Sequence, residues 1–204
     1  LYNPHKYKGW VNPKLETLAQ NAYESYKSTG GGQVIFCDRV LSGDGSFNMH
    51  EKIKQRLIAQ GFTDSEIVIV NGLTKSGTMQ SDQALEREVS QAIDGYNSGK
   101  YKVIIGTTQT LGEGVNLQKN SAALHHLDIP FRPSDFTQRN GRVDRQGNKQ
   151  DKVALHTYMA AGTIDSYSIA LVQGKANWID QLLKTKSNIF FNPNDGSYID
   201  ADEL

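Results

Sequence analysis

Five short, nearly all-apolar runs recur along this chain of 204 residues, at residues 33–40 (QVIFCDRV), 66–70 (EIVIV), 101–106 (YKVIIG), 122–129 (AALHHLDI) and 153–159 (VALHTYM). A strand with one wet face alternates apolar and polar residues, whereas these runs leave no polar face, so both of their faces are buried. Segments of helical period separate them. Residues 13–29 place Leu15, Leu18, Ala19, Ala22, Tyr23 and Tyr26 at helical spacing, residues 50–60 place Ile53, Leu57 and Ile58, and residues 81–97 place Leu85, Val89, Ala92 and Ile93. Strand and helix in alternation, with strands apolar on both sides, predict an α/β fold: a doubly wound, mostly parallel sheet covered on both faces.

Local signals mark the boundaries. Asn12 offers a helix cap with Pro13 at the first helical position, Gly30 to Gly32 stop that helix, and Gly61 stops the next. Residues 133–146 are expected to be helical, and a long helix from Ile164 to about Lys186 closes the domain. The organisation read from these signals is a lead-in segment and first helix at 1–32, the main α/β domain at 33–186, and a tail or linker start rich in Asn, Asp and Gly at 187–204. Leu1 in place of methionine reads as the start of a fragment or of a processed chain.

Lys and Arg number 22, as do Asp and Glu, so any nucleic-acid partner is met by a local patch and not by bulk charge. The single cysteine, Cys37, cannot form an internal disulfide and sits in an apolar run, where a buried core thiol in a reducing compartment is expected. No apolar stretch approaches the ~20 residues that span a bilayer, and no signal-peptide pattern opens the chain, which points to the cytoplasm.

Two stretches carry candidate chemistry. Residues 138–146, QRNGRVDRQ, set Arg142 and Arg145 three apart behind a glycine on a segment patterned as a helix, which aims both guanidiniums from one face. A planar fork with five donors suits a cluster of phosphate oxygens. Residues 107–118, TTQTLGEGVNLQ, run from a strand into a glycine-rich loop that brings backbone close to a nucleotide. Both begin near strand carboxyl ends, where doubly wound sheets bind ligands, and together they point to nucleoside-triphosphate chemistry. The competing reading of the arginines is a solvated helix face paired with Asp144 or Asp135. Of His125 and His126, adjacent on one strand, at most one is expected to face the core, and no second ligand cluster supports a metal. Tyr158, Tyr167 and Trp178 read as core or interface residues. GLTKSG at 72–77 is not a phosphate loop, because G-x-x-x-x-G-K-S needs glycines where Ile69 and Thr74 stand.

The arrangement resembles the second RecA-like half of a superfamily 2 helicase or translocase, most closely the Snf2-related branch. Gln138, Gly141, Arg142 and Arg145 match that family's motif VI, residues 112–118 (GEGVNLQ) resemble motif V, residues 33–38 (QVIFCD) resemble motif IV, and LDIPFRPSDFTQ at 127–138 resembles the run leading into motif VI. The resemblance implies a RecA-like fold, related to P-loop NTPases but without a P-loop. It implies ATP with Mg²⁺ bound between two halves, with Arg142 and Arg145 as arginine fingers and Arg145 on the γ-phosphate. Gly112, Glu113, Gly114, Asn116 and Gln138 would border the nucleotide, and Gly72, Thr74 and either Thr107 or Thr108 would meet phosphates of the tracked strand. The implied partners are an upstream RecA-like domain of the same polypeptide and DNA, double-stranded in the Snf2-like reading. With no phosphate loop and no acidic strand motif to hold Mg²⁺, the isolated chain is expected not to hydrolyse ATP. The alternative is a RecA-like scaffold or protein-interaction module without ATPase activity; a small-molecule enzyme finds no nucleophile, base and orienter here.

Overall fold

Asn12 caps the first helix through its side chain, which accepts from the Lys14 amide at 3.0 Å, and Pro13 occupies the first turn. Helix α1 (Pro13–Thr29) ends where Gly30 enters the left-handed region and its N–H bonds Tyr26 O at 2.8 Å. The structure is a computed structural model and describes residues 12–40, 47–73, 81–112, 114–160, 162–184, 189–191 and 198–200. Along the chain follow β1 (Gly32–Phe36), α2 (Met49–Gln60), β2 (Ile67–Val70), α3 (Asp82–Asn97), β3 (Val103–Gly106), the single turn α4 (Thr108–Leu111), β4 (Ser121–His126), α5 (Pro133–Asn140), β5 (Ala154–Thr157), α6 (Ile164–Lys184), β6 (Ile189–Phe191) and β7 (Tyr198–Asp200).

Strands β1 to β5 form one parallel sheet in the order β2-β3-β1-β4-β5. In register, Ile35 of β1 lies between Ile105 of β3 and His125 of β4. The three central strands are buried along their whole length, as their nearly all-apolar runs predict, while the edge strands β2 and β5 are partly open. Helices α1 and α2 cover one face through Leu18, Ala22, Ile53 and Leu57 packed on Ile35 and Ile105. On the other face, Ala92 and Tyr96 of α3 pack with Leu111, Leu117 and Val143 on Val34, Phe36, Ile104 and Leu124. Each fully buried Leu, Ile or Val contributes about 1.5–3 kcal/mol over its exposed state. The doubly wound α/β expectation therefore holds.

Three local expectations do not. His125 and His126 are both buried, at 0% and 1% exposure, because β4 is a central strand with a covered face on either side. β1 and β4 stop short of the apolar runs that announced them, where the chain bends into Asp38 and Asp128. α5 ends at Asn140, six residues before the expected end, so the arginine pair lies beyond the helix.

The chain divides into two compact units, Leu1–Asp128 with Gln138–Met159, and Ile129–Thr137 with Ala160–Leu204. The first holds the five-stranded sheet. In the second, Thr163 Oγ1 accepts from the Asp165 amide at 3.2 Å to start α6, the Asp165 carboxylate accepts from the Ala160 amide, and Lys175 Nζ donates to the Phe131 carbonyl at 3.4 Å. Phe131 and Tyr167 are about two-thirds exposed there, whereas Tyr158 in the first unit is buried. β6 and β7 pair antiparallel within the stretch read from sequence as a tail. Among the described residues, no helix is long and apolar enough to cross a membrane.

Candidate functional site

Three central strands end on polar residues that one buried arginine ties together. Arg139, on the last turn of α5, is fully buried. Its Nε donates to Thr108 Oγ1 at 2.9 Å, its Nη2 to Asp38 Oδ2 at 2.7 Å and Asp128 Oδ1 at 3.2 Å, and its Nη1 to the Asp128 carbonyl at 3.3 Å. The guanidinium lies over the Phe36 ring at 5.1 Å. Asp38 follows β1, Thr108 follows β3 and Asp128 follows β4, so a single side chain spans the carboxyl edge of the sheet. The aspartates are also joined directly: Asp128 Oδ2 accepts from the amides of Asp38 and Arg39. The sequence reading quoted all three charged residues inside its motif stretches but gave none of them a role. Their signal was present, as an aspartate directly after each of two apolar runs and an arginine inside QRNGR.

Past Asn140 the backbone closes tight turns, with the Arg142 amide on Arg139 O at 3.1 Å and the Asp144 amide on Asn140 O at 3.0 Å. Gly141 favours this exit from the helix, because glycine loses the most freedom in a helical interior. The two arginines thus share no helical face, yet they still converge. Arg142 Nη1 donates to Val115 O at 3.2 Å, the Leu117 amide donates to Arg142 O at 3.2 Å, and Arg145 Nη1 donates to Asn116 Oδ1 at 2.6 Å. Motif VI and the GEGVN loop are therefore joined by direct contacts. Among the described residues Arg145 forms no ion pair, and it is exposed, which leaves the rest of its donor fork open to a ligand.

The glycines of this loop have distinct reasons. Gly112 is buried, its N–H bonds Thr108 O at 2.7 Å, and an added Cβ would collide with that carbonyl. Gly114 has φ +67° and nothing near its missing side chain, so only its backbone conformation selects glycine. Thr107 caps α4, its hydroxyl accepting from the Thr110 amide at 3.1 Å, and Thr110 Oγ1 reaches Val70 O at 2.8 Å. Gly72 is buried beyond β2, beside Asn71, whose side chain accepts from the Leu73 amide. Gln138 is half-buried on α5, and its side chain makes no hydrogen bond among the described residues. Thr74 and Glu113 lie outside the described residues.

Burial sets the electrostatics nearby. Desolvation, followed by the Asp128 charge, raises the Cys37 thiol well above its usual range, so it is a core thiol and not a nucleophile. Desolvation lowers His126 to about 4 and holds it neutral, its Nδ1 facing Arg139 Nη1 at 3.4 Å and its Nε2 donating to Asn140 Oδ1 at 2.9 Å. His125 is lowered to about 3 for the same first reason. It accepts from Tyr158 O–H at 2.8 Å and donates to Gln33 Oε1 at 3.1 Å, in a network that Asn21 and Ser25 of α1 complete. No three His, Cys, Asp or Glu side chains among the described residues are grouped to hold a metal ion.

A parallel sheet with an arginine turn laid against a glycine-rich loop belongs to a known class of domain. The family model "Helicase conserved C-terminal domain" matches residues 14–147, well over half of the chain, and the chain belongs to that family. It is 32% identical over 90 residues to "Defense against restriction protein B" of Escherichia phage P1, covering 44% of this chain and 4% of that protein. It is 29% identical over 85 residues to "Uncharacterized ATP-dependent helicase YqhH" of Bacillus subtilis (strain 168), covering 42% of this chain and 15% of that protein. The matched stretches are thus a small part of those relatives' length. Among solved structures it is similar to the C-terminal part of the Fun30 ATPase domain, with TM-score 0.56 and 18% identity over 78% of this chain and 45% of that one. It is also similar to the Pyrococcus furiosus Hef helicase domain, with TM-score 0.53 and 21% identity over 82% of this chain and 30% of that one. The fold is that of a RecA-like helicase domain.

Proposed function

We propose that this chain is the second motor half of an ATP-dependent DNA helicase or translocase working in the cytoplasm, and that its role in hydrolysis is to present Arg145 and Arg142 to the terminal phosphates of ATP. The observation that carries this reading is the contact of both guanidiniums with residues 115 and 116. The loop next to the nucleotide thereby aims the fork, and an arginine finger of this kind contributes roughly 10³–10⁵ in rate by compensating charge on the transferring phosphoryl group. Gly112, Glu113, Gly114, Asn116 and Gln138 line the approach. Gly72 and the turn after β3 that begins at Thr107, together with Thr74, are assigned to the DNA track, with duplex DNA as the favoured substrate. Because the sequence carries neither a phosphate loop nor an acidic strand motif, Mg²⁺ and the attacking water are assigned to an upstream RecA-like lobe of the same polypeptide.

The test is to assay ATP hydrolysis by the chain alone and joined to that lobe, each with and without duplex DNA. No turnover from the chain alone and DNA-stimulated turnover from the joined polypeptide are expected. A joined polypeptide that binds ATP yet shows no hydrolysis with DNA would overturn the motor reading in favour of a scaffold.

A further inference from the structure

We propose that Arg139 is a positioning residue that latches the turn after β3 to the arginine-bearing segment, and that the Thr108 hydroxyl serves this latch instead of a phosphate of the bound strand. The inference rests on the motor reading and assigns the coupling between its two ligands. A threonine hydroxyl has one proton to give. In Thr108 that proton is directed at the Asp38 carboxylate, at 3.0 and 2.9 Å to its two oxygens, while the same oxygen accepts from Arg139 Nε at 2.9 Å. The Thr108 amide is also taken, by Asp38 Oδ1 at 2.6 Å. Nothing on Thr108 remains to donate to DNA.

The same guanidinium carries the position of the nucleotide side. The Arg142 amide bonds Arg139 O at 3.1 Å, so a shift of Arg139 moves Arg142 with it. Arg139 is buried among fixed partners on three strand ends, an arrangement that a planar fork satisfies and an ammonium cannot, since lysine lacks the fixed donor geometry. Binding at the turn after β3 and alignment of the arginines beyond α5 therefore share one side chain, which places Arg139 between the DNA-facing and ATP-facing segments of the domain.

The experiment uses the polypeptide joined to its ATP-binding lobe and reads the duplex DNA concentration that gives half-maximal ATPase stimulation, with thermal unfolding to confirm that each variant is folded. Arg139→Lys and Thr108→Val are each expected to raise that concentration about tenfold, as loss of a hydrogen bond to a charged group does. Thr108→Ser, which keeps the hydroxyl, is expected to restore the wild-type value. The double variant is expected to be no worse than the stronger single one, because both remove the same latch. Multiplicative losses in the double variant would overturn the proposal, since they would mean that Thr108 acts on DNA independently; so would a wild-type midpoint in folded Thr108→Val. Should Arg139→Lys fail to fold, Asp38→Asn takes its place in the same cycle. A wild-type polypeptide without DNA-stimulated hydrolysis would instead sink the motor reading, a different outcome from a responsive wild type whose variants match it.

Discussion

Arg145 and Asn116 meet through a hydrogen bond of 2.6 Å from guanidinium Nη1 to amide Oδ1, across a sequence separation of 29 residues. Arg145 is exposed and held by one neutral partner, so the bond fixes its direction without neutralising its charge. A charge kept available but aimed is what a phosphate-sensing group requires.

Removing that aim without removing the charge separates orientation from electrostatics. Asn116→Ala leaves Arg145 in place but frees its rotamers. In the joined polypeptide, kcat is expected to fall roughly tenfold to a hundredfold, the scale set by a misplacement of about 1 Å. Steady-state ATPase kinetics check this; unchanged kcat would mean that the bond has no part in alignment.

The Arg139 cluster makes a stability statement that needs no ligand. Arg139→Met removes the cation from between Asp38 and Asp128, whose side chains are 41% and 19% exposed. Breaking a buried pair typically costs 3–5 kcal/mol, and the partly wet aspartates put the expected loss near the low end, about 3 kcal/mol. Adding Asp38→Asn and Asp128→Asn should recover part of it, because asparagine keeps an acceptor for the backbone amides while shedding the charge. Urea unfolding at fixed pH measures both, and a triple variant less stable than the single one contradicts the assignment.

Acid sensitivity follows from the buried histidines. His125 and His126 titrate at about 3 and about 4 when folded, below their ordinary 6.5, because burial disfavours the charged ring. The unfolded chain therefore binds more protons as pH falls below about 6.5. The contribution of the neutral rings is complete above that pH and is lost progressively as pH falls, through about 4 for His126 and about 3 for His125, with His125 alone losing on the order of 3 kcal/mol by pH 4. His125→Gln should flatten part of the slope in urea midpoints measured across this window; an unchanged slope would mean that His125 is protonated in the folded state.

How far the sequence revealed this depends on which signal each element used. Nearly all-apolar runs such as 101–106 announced buried parallel strands because both faces of the sheet are covered, and the caps at Asn12 and Gly30 acted locally, so α1 could be read to the residue. The two stretches that the resemblance paired do touch, Arg142 on Val115 and Arg145 on Asn116, although not from the shared helical face that the spacing predicted. The helix end was misjudged because apolar periodicity is weak across RNGRVDRQ, and the turns after Asn140 are closed by backbone bonds that leave no pattern in composition. Arg139 escaped notice because its partners Asp38 and Thr108 lie 101 and 31 residues away, and no local rule joins them.

The loop itself offers a steric test. At Gly112 an alanine Cβ would run into Thr108 carbonyl oxygen, so Gly112→Ala must shift backbone at both positions. Gly114→Ala meets no neighbour and carries only the left-handed backbone cost at φ +67°, about 1 kcal/mol. Gly112→Ala is expected to be the more destabilising in urea unfolding, and the reverse order would show that the loop is not held as described.

The most direct measurement of the motor assignment is the kcat of DNA-stimulated ATP hydrolysis by the joined polypeptide with Arg145→Ala, set beside its ATP affinity. A loss of roughly 10³ in kcat with ATP still bound is expected of a group that acts on the transferring phosphate. Hydrolysis that continues at the wild-type rate would contradict the central role given to Arg145.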